Sequence, residues 1–304
     1  MTSIDDKRAD DRRTGARPDP WHFAALLGGN FALALGPWFV RMADSGPVSA
    51  AFWRLFLPLP LLGLLALSQR KPNHRSSFAL GAWGAVAIAG VFFAFDLASW
   101  HIGISHTRLG NASLFGNSGS LILMAWSLMV ARRWPRRLEA GAMLAATAGA
   151  GILLGRSLEI DRATLIGDLF CILAGFFYVF YILLIQRARG RFDSWGLLFH
   201  STLAGTPVLL AIAIALGEPV WPHVWWPLIA LALGSQVIGQ GLIVFALRHF
   251  SALIVGVVLL TQPAVSILAG WLAFGETMGW LDGLGMVLIG GALVLGRLSE
   301  GSAR

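Results

Sequence analysis

The sequence predicts an all-α integral membrane protein of about ten transmembrane helices in two inverted five-helix repeats, with both termini on the cytoplasmic side. Three observations predict it: a shortage of charge, long apolar runs, and basic residues that alternate between the two sides of those runs. Of 304 residues, 56% are hydrophobic and 13% charged, with a mean hydropathy of +0.70. A soluble domain carries about 25% charged residues. The charges here collect in short islands, and the runs between them reach the ~20 residues that a helix needs to cross a hydrocarbon core.

Residues 1–20 (MTSIDDKRADDRRTGARPDP) mix both signs of charge with proline and predict a disordered cytoplasmic tail. They lack the apolar stretch of a signal peptide. Apolar windows near 21–40, 48–68, 78–100, 108–131, 137–155, 164–186, 195–216, 224–247, 251–274 and 279–297 predict ten spans, and 299–304 a cytoplasmic tail. None of them alternates with period two, which argues against a β-barrel.

Basic residues set the orientation. With the N-terminus inside, the inner segments hold Lys7, Arg8, Arg12, Arg13, Arg17, Arg70, Lys71, Arg75, Arg132, Arg133, Arg136, Arg137, Arg187, Arg189, Arg191, Arg248, Arg297 and Arg304, which is 18. The outer segments hold Arg41, Arg108, Arg156 and Arg162, which is 4, and Arg54 completes the 23. A missing or extra helix would scramble this bias, so it supports N-in, C-in and the count together. Trp100, Trp221, Trp225, Trp226 and Trp280 form an outer aromatic belt. Because the net charge of +7 is spread between spans, it implies no nucleic-acid partner. The single cysteine, Cys171, rules out an intrachain disulfide.

The halves resemble each other. WHIGISHTRLGNAS (100–113) and FALRHFSALIVGV (245–257) each mark a polar joint, and AGAGILLGR (148–156) resembles GGALVLGR (290–297). In register, Arg54 falls against His200, Ser120 against Pro263 and Arg133 against Glu276. The repeats are 21–156 and 164–298. Each has five spans, an odd number, so the second enters the membrane inverted, the arrangement that alternating access uses.

ALRHFSALIVGVVLLTQPAVSILAGWLAFGET (246–277) is similar to the pattern of the EamA-type transporters of the drug/metabolite transporter superfamily: Ala-Leu, a basic joint, a mid-helix proline and a terminal Gly-Glu. GDLFCILAGFFYVFYILLIQR (167–187) is similar to the family's opening helix of the second repeat, and the resemblance runs from Trp21 to Arg297. The first half departs from the pattern at Ser120, where proline is usual, and at Arg133, where glutamate is usual. The resemblance implies a five-plus-five transporter with a cavity lined by spans 3, 4, 8 and 9, and export of amino acids or other metabolites.

Polar groups at membrane depth locate the candidate site. Ser113, Asn117, Ser120 and Ser127 make one stripe on span 4; Gln236 and Gln240 share a face of span 8; Thr261 and Gln262 precede Pro263 on span 9. Pro263 frees a carbonyl one turn back. The expected substrate-binding set is Asn117, Ser120, Gln236, Gln240, Thr261, Gln262 and Pro263. Structural bonding between helices is the competing role for each, since such bonds average about 0.6 kcal/mol and are common. Arg54 and Asp96 are full charges inside spans, at roughly 2.5–3.5 kcal/mol each. With His200 they form the expected gating or coupling set, and an Arg54–Asp96 salt bridge that breaks with gate opening is one expectation. Asp168 and Glu276 at helix ends read as structural. Gly141, Ala145 and Gly149 on span 5, with Gly283, Gly290 and Gly291 on span 10, predict close helix packing.

These observations favour a non-enzymatic secondary transporter of the cytoplasmic membrane that moves a small solute by alternating access. Its expected partners are that solute, membrane lipids and, as a homodimer, a second copy; no metal or cofactor is expected. A lipid or lipid-linked sugar flippase on the same fold is the alternative. A remote one is an intramembrane serine hydrolase using Ser118 of GNSG (116–119), with His200 as base.

Overall fold

A computed structural model of the chain describes residues 20–68, 80–107, 109–119, 126, 128–157, 162–189, 192–250, 252–259, 261–274 and 279–301. Every regular element among them is helical. The elements are α1 (Pro20–Ala34), α2 (Gly36–Met42), α3 (Pro47–Phe56), α4 (Leu59–Ser68), α5 (Leu80–His106), α6 (Leu109–Gly116), α7 (Arg137–Ser157), α8 (Arg162–Ala188), α9 (Ser194–Ala215), α10 (Trp226–Ala230), a π-helix (Leu231–Gln240), α11 (Gly241–Ala246), α12 (Ala252–Leu259), α13 (Gln262–Phe274) and α14 (Trp280–Gly301).

Six helical stretches are long and apolar enough to cross a membrane: Pro20–Met42, Pro47–Ser68, Trp83–His106, Leu165–Ala188, Ser194–Ala215 and Trp226–Ala246. They coincide with six of the ten expected spans. The other four fall on helices that are shorter, more charged or only partly within the described residues.

Prolines explain two interruptions that the apolar windows conceal. Pro37 offers no N–H to the carbonyl of Leu33, and α1 gives way to α2 at Leu35. Pro58 and Pro60 divide α3 from α4 in the same way. Pro263 sits at the second position of α13, where a helix tolerates proline, and cannot bond the carbonyl of Leu259, the last residue of α12.

The helices touch through glycines. A Cβ at Gly90 on α5 would lie 2.3 Å from the Ser201 carbonyl oxygen of α9. One at Gly103, also on α5, would meet Cys171 Sγ of α8 at 2.3 Å. Gly29 of α1 abuts Gly239 of the π-helix, and Gly149 of α7 abuts Gly285 of α14. In lipid, where apolar burial drives no association, such close approach supplies the dispersion that holds helices together. The expected packing role holds for Gly149. It does not hold for Gly283, Gly290 and Gly291, where a Cβ would meet nothing within 4 Å.

Polar contacts mark the two ends of the bundle. At one, Glu218 accepts from the N–H groups of Val48 (3.2 Å) and Ser49 (2.8 Å), capping α3, and Trp53 Nε1 donates to the Val220 carbonyl at 2.7 Å. His101 Nδ1 meets the Pro47 carbonyl at 2.9 Å, and Arg41 donates to the Thr107 carbonyl at 2.6 Å. Thr107 in turn donates to Asp168 at 2.7 Å; Asp168 stands nearly two turns inside α8, which begins at Arg162, and not at the helix end expected of it. At the other end, Arg189 donates to the Leu247 carbonyl at 2.6 Å, and Arg248 donates to the Phe192 carbonyl. There His249 stacks on His22 with ring centroids 3.7 Å apart. Arg133 pairs with Glu139 at 2.5 Å; Glu276 and Ser127 lie outside the described residues.

Two predictions follow from this packing. Gly90→Val, forced against the α9 backbone, should cost more than about 3 kcal/mol and yield aggregated protein on extraction, whereas Gly290→Val should stay within about 0.5 kcal/mol of wild type; size-exclusion profiles and thermal melts in detergent check both. Burial, and secondarily His22, hold the His249 imidazole below its ordinary 6.5. As pH falls through that ordinary value the unfolded chain takes up the proton first, so this contribution to stability is present above it and drains below it. The melting temperature of wild type should therefore fall more between pH 7.5 and 5.5 than that of His249→Phe.

Candidate functional site

Asp96 and Arg54 meet the same cavity. It measures about 60 Å³ and is lined by Leu33, Arg54, Phe93, Asp96, Leu97, Trp100, Gly116, Tyr178, Gln240 and Gln262. At roughly 15 Å³ per water it has room for about four waters.

Backbone irregularity puts many of these side chains there. Gly116 ends α6, Gln240 ends the π-helix, Gln262 begins α13, and Leu33 stands two residues before the break at Leu35. An irregular backbone at membrane depth is tolerated where it faces protein or a polar cavity. The π-helix is itself a rare form that is frequent at functional sites. One regular helix supplies four more: Phe93, Asp96, Leu97 and Trp100 fall at i, i+3, i+4 and i+7 of α5, and Arg54 of α3 and Tyr178 of α8 complete the wall.

The two charges are held apart. Arg54 is 3% exposed and Asp96 9%. Among the described residues neither forms an ion pair or hydrogen bond with the other or with any neighbour; the expected Arg54–Asp96 salt bridge is not made. Arg54 Nε is buried without a partner, and its guanidinium carbon lies 5.8 Å from the centre of the Trp100 ring. The Tyr178 hydroxyl is also unpartnered. Gln240 Nε2 donates to the Tyr181 hydroxyl at 3.1 Å, and Gln240 lines the cavity. Tyr181 stacks on Phe93 at 4.5 Å.

The expected binding residues divide. Gln240 and Gln262 line the cavity. Asn117 lies one layer behind, with Nδ2 donating to the Ser113 carbonyl (2.6 Å) and to Gln262 Oε1 (3.0 Å), so it orients the Gln262 amide. Ser113 donates to Ser266 at 2.9 Å, and Ser266 to the Ala34 carbonyl at 3.2 Å, beside the α1–α2 break. Thr261 accepts from Asn30, and Pro263 is buried in the first turn of α13. Gln236 turns away and donates to Thr202 on α9 at 2.9 Å. Ser120 lies outside the described residues. His200 is absent from the cavity wall: its ring packs on Trp83 (4.2 Å) and Phe199 (5.0 Å), and Nδ1 meets the Gly196 carbonyl. Ser118 packs against Gly175 of α8 with its hydroxyl unpartnered, so the serine and histidine of the hydrolase reading are not brought together. Among the described residues no three His, Cys, Asp or Glu side chains gather as a metal site requires.

Known proteins give an independent comparison. Residues 165–296 match the family model of the EamA-like transporter family. Two proteins of Archaeoglobus fulgidus, each named an uncharacterized transporter, are 24% identical to the chain. One aligns over 259 residues (82% of this chain, 87% of the relative) and the other over 261 (84% and 87%). A protein known from a crystal structure superposes with a TM-score of 0.72 at 18% identity, covering 93% of this chain and 98% of its own, and shares the fold. A polar cavity among apolar helices, a family model over the second half and transporter-named relatives along four-fifths of the sequence point one way: the chain is a multi-pass membrane transporter whose residues 165–296 match the EamA-like transporter family.

Proposed function

We propose that the protein moves a small zwitterionic metabolite, an amino acid or a close relative, across the cytoplasmic membrane by alternating access, in the direction of export. The observation that carries this reading is the unpaired Arg54 and Asp96 on one cavity wall. A zwitterion offers a carboxylate to Arg54 and an ammonium to Asp96, so both buried charges gain partners at once and the site stays neutral. A solute of single net charge leaves one of them uncompensated, which costs about 3–5 kcal/mol in a buried setting. Gln240, Gln262 and Tyr178 then supply uncharged donors and acceptors along the solute.

The cavity's size fits a closed stage of the cycle. Room for about four waters is less than the ~300 Å³ of an ordinary ligand pocket, so solute enters only after one end parts. In the N-in orientation that the basic residues favour, the Glu218 end faces outward and the His249 end faces the cytoplasm. Inversion of the two repeats makes those ends counterparts, each opening while the other stays tied.

Purified protein in liposomes, offered labelled amino acids, sugars and nucleosides, tests the proposal. Amino-acid uptake should exceed the other classes, and Arg54→Gln and Asp96→Asn should each lower it about 100-fold, the equivalent of roughly 3 kcal/mol. Lipid scrambling without solute uptake would favour the flippase in its place.

A further inference from the structure

Besides the main apolar core, the buried residues form a second and smaller cluster: Val40, Ile104, Ala112, Cys171 and Leu231, with Phe39, Trp100, Leu109 and Phe115 packed against it. Its members come from α2, α5, α6, α8 and the start of the π-helix, near the Glu218 end. Ile104 stands one turn beyond Trp100 toward that end of α5, and Val40 stands beside Arg41, whose side chain reaches Thr107 there. The cluster therefore lies between the cavity and the Glu218 end. The Arg41–Thr107–Asp168 contacts border it on the Glu218 side. Among the described residues, Trp100 alone belongs both to the cluster and to the cavity wall.

The seat of that indole is shaped for it. A Cβ at Gly116 would lie 2.9 Å from Trp100 Nε1, and one at Gly36 would lie 3.4 Å from its outer ring carbon. Glycine at both positions lets the ring reach from α5 across to α6 and α2. Arg54, from α3, faces the same ring. Four helices thus converge on one side chain that is held by packing and by a cation–π contact, with no covalent or ionic tie to stop it from moving.

We propose that Trp100 is the lid of the cavity on the Glu218 side, that the apolar cluster behind it is the plug of that gate, and that Arg54 couples the lid to the solute. The proposal rests on the transport reading above. When the Arg54 guanidinium turns to an anionic group in the cavity, its hold on the indole is exchanged for a charge-assisted bond. The lid is then free to leave its glycine seat, and the plug parts with it. Departure of the solute returns Arg54 to the ring and reseals the end. Leakage of water and ions along the path is prevented by the same apolar surfaces that meet when the lid is seated.

The test is accessibility, which needs no knowledge of the solute. Cys171→Ala removes the native thiol while keeping the plug apolar, and Leu97→Cys places a reporter on the cavity wall; labelling is compared within this background. Labelling by a membrane-impermeant thiol reagent is followed in right-side-out and inside-out vesicles in parallel. Trp100→Ala should speed labelling at least ~10-fold in the vesicles that expose the Glu218 end and leave the other set unchanged. Gly116→Ala, which displaces the ring without removing it, should act in the same direction, and Trp100→Phe should fall between. Should Trp100→Ala fail to fold, Gly116→Ala and Trp100→Phe carry the same comparison. Unchanged labelling in the folded variants, or acceleration from the His249 end, overturns the lid. Trp100-dependent labelling in a protein that carries no amino acid would sustain the lid while removing the zwitterion, so the two readings fail separately.

Discussion

Two opposite charges buried in an apolar bundle without a bond between them constrain everything around them. Each costs several kcal/mol to hold at membrane depth, and a direct ion pair would be the simplest relief. The structure forgoes it. Arg54 rests near the face of Trp100, Asp96 projects from α5, and both line the cavity with no ion pair between them. Such an arrangement is stable only if the surrounding helices are fixed well enough to keep the pair from collapsing together.

Glycine contacts provide that rigidity, and α5 is at their centre. Gly90 and Gly103 seat this one helix against α9 and α8, and the same helix carries Phe93, Asp96, Leu97 and Trp100 to the cavity. A regular, tightly notched helix thus faces interrupted ones: α1 breaks at Leu35, α6 ends at Gly116, the π-helix ends at Gln240 and α13 begins at Gln262. Rigidity on one wall and freed backbone on the others suit a site that must hold polar atoms in place and also rearrange.

Much of this was legible in the residues. The apolar windows located five of the six long helices within about two residues, whereas the third runs on to His106, through residues read as a polar joint; Pro263 pointed to the break that places Gln262 at a helix start. Arg54 and Asp96 stood out because full charges are rare in spans, and both reached the cavity. Harder to read was which amide of a pair faces inward. Gln236 and Gln240 lie four apart, but the π-helix and the hydroxyl of Thr202 draw Gln236 away, and neither is visible in the spacing. His200 was drawn in by its register with Arg54, yet an aromatic pocket of Trp83, Phe192 and Phe199 claims it. The aromatic wall was missed although its signal was present, since Phe93, Asp96, Leu97 and Trp100 share one helical face. A hydrophobic scan counts such aromatics as ordinary span residues. Only the charge among them marks the face as a cavity.

The central claim is that Arg54 and Asp96 are kept apart in order to be bridged by a solute. Equilibrium stabilisation tests it most directly, because a ligand that binds the folded protein raises its melting temperature whether or not transport is completed. Thermal melts of detergent-purified wild type against a panel of amino acids, and against analogues lacking either the amine or the carboxylate, provide the measurement. The account predicts stabilisation by intact zwitterions alone, abolished in Arg54→Gln and in Asp96→Asn. Equal stabilisation by the one-charge analogues, or a shift that survives both substitutions, would contradict it.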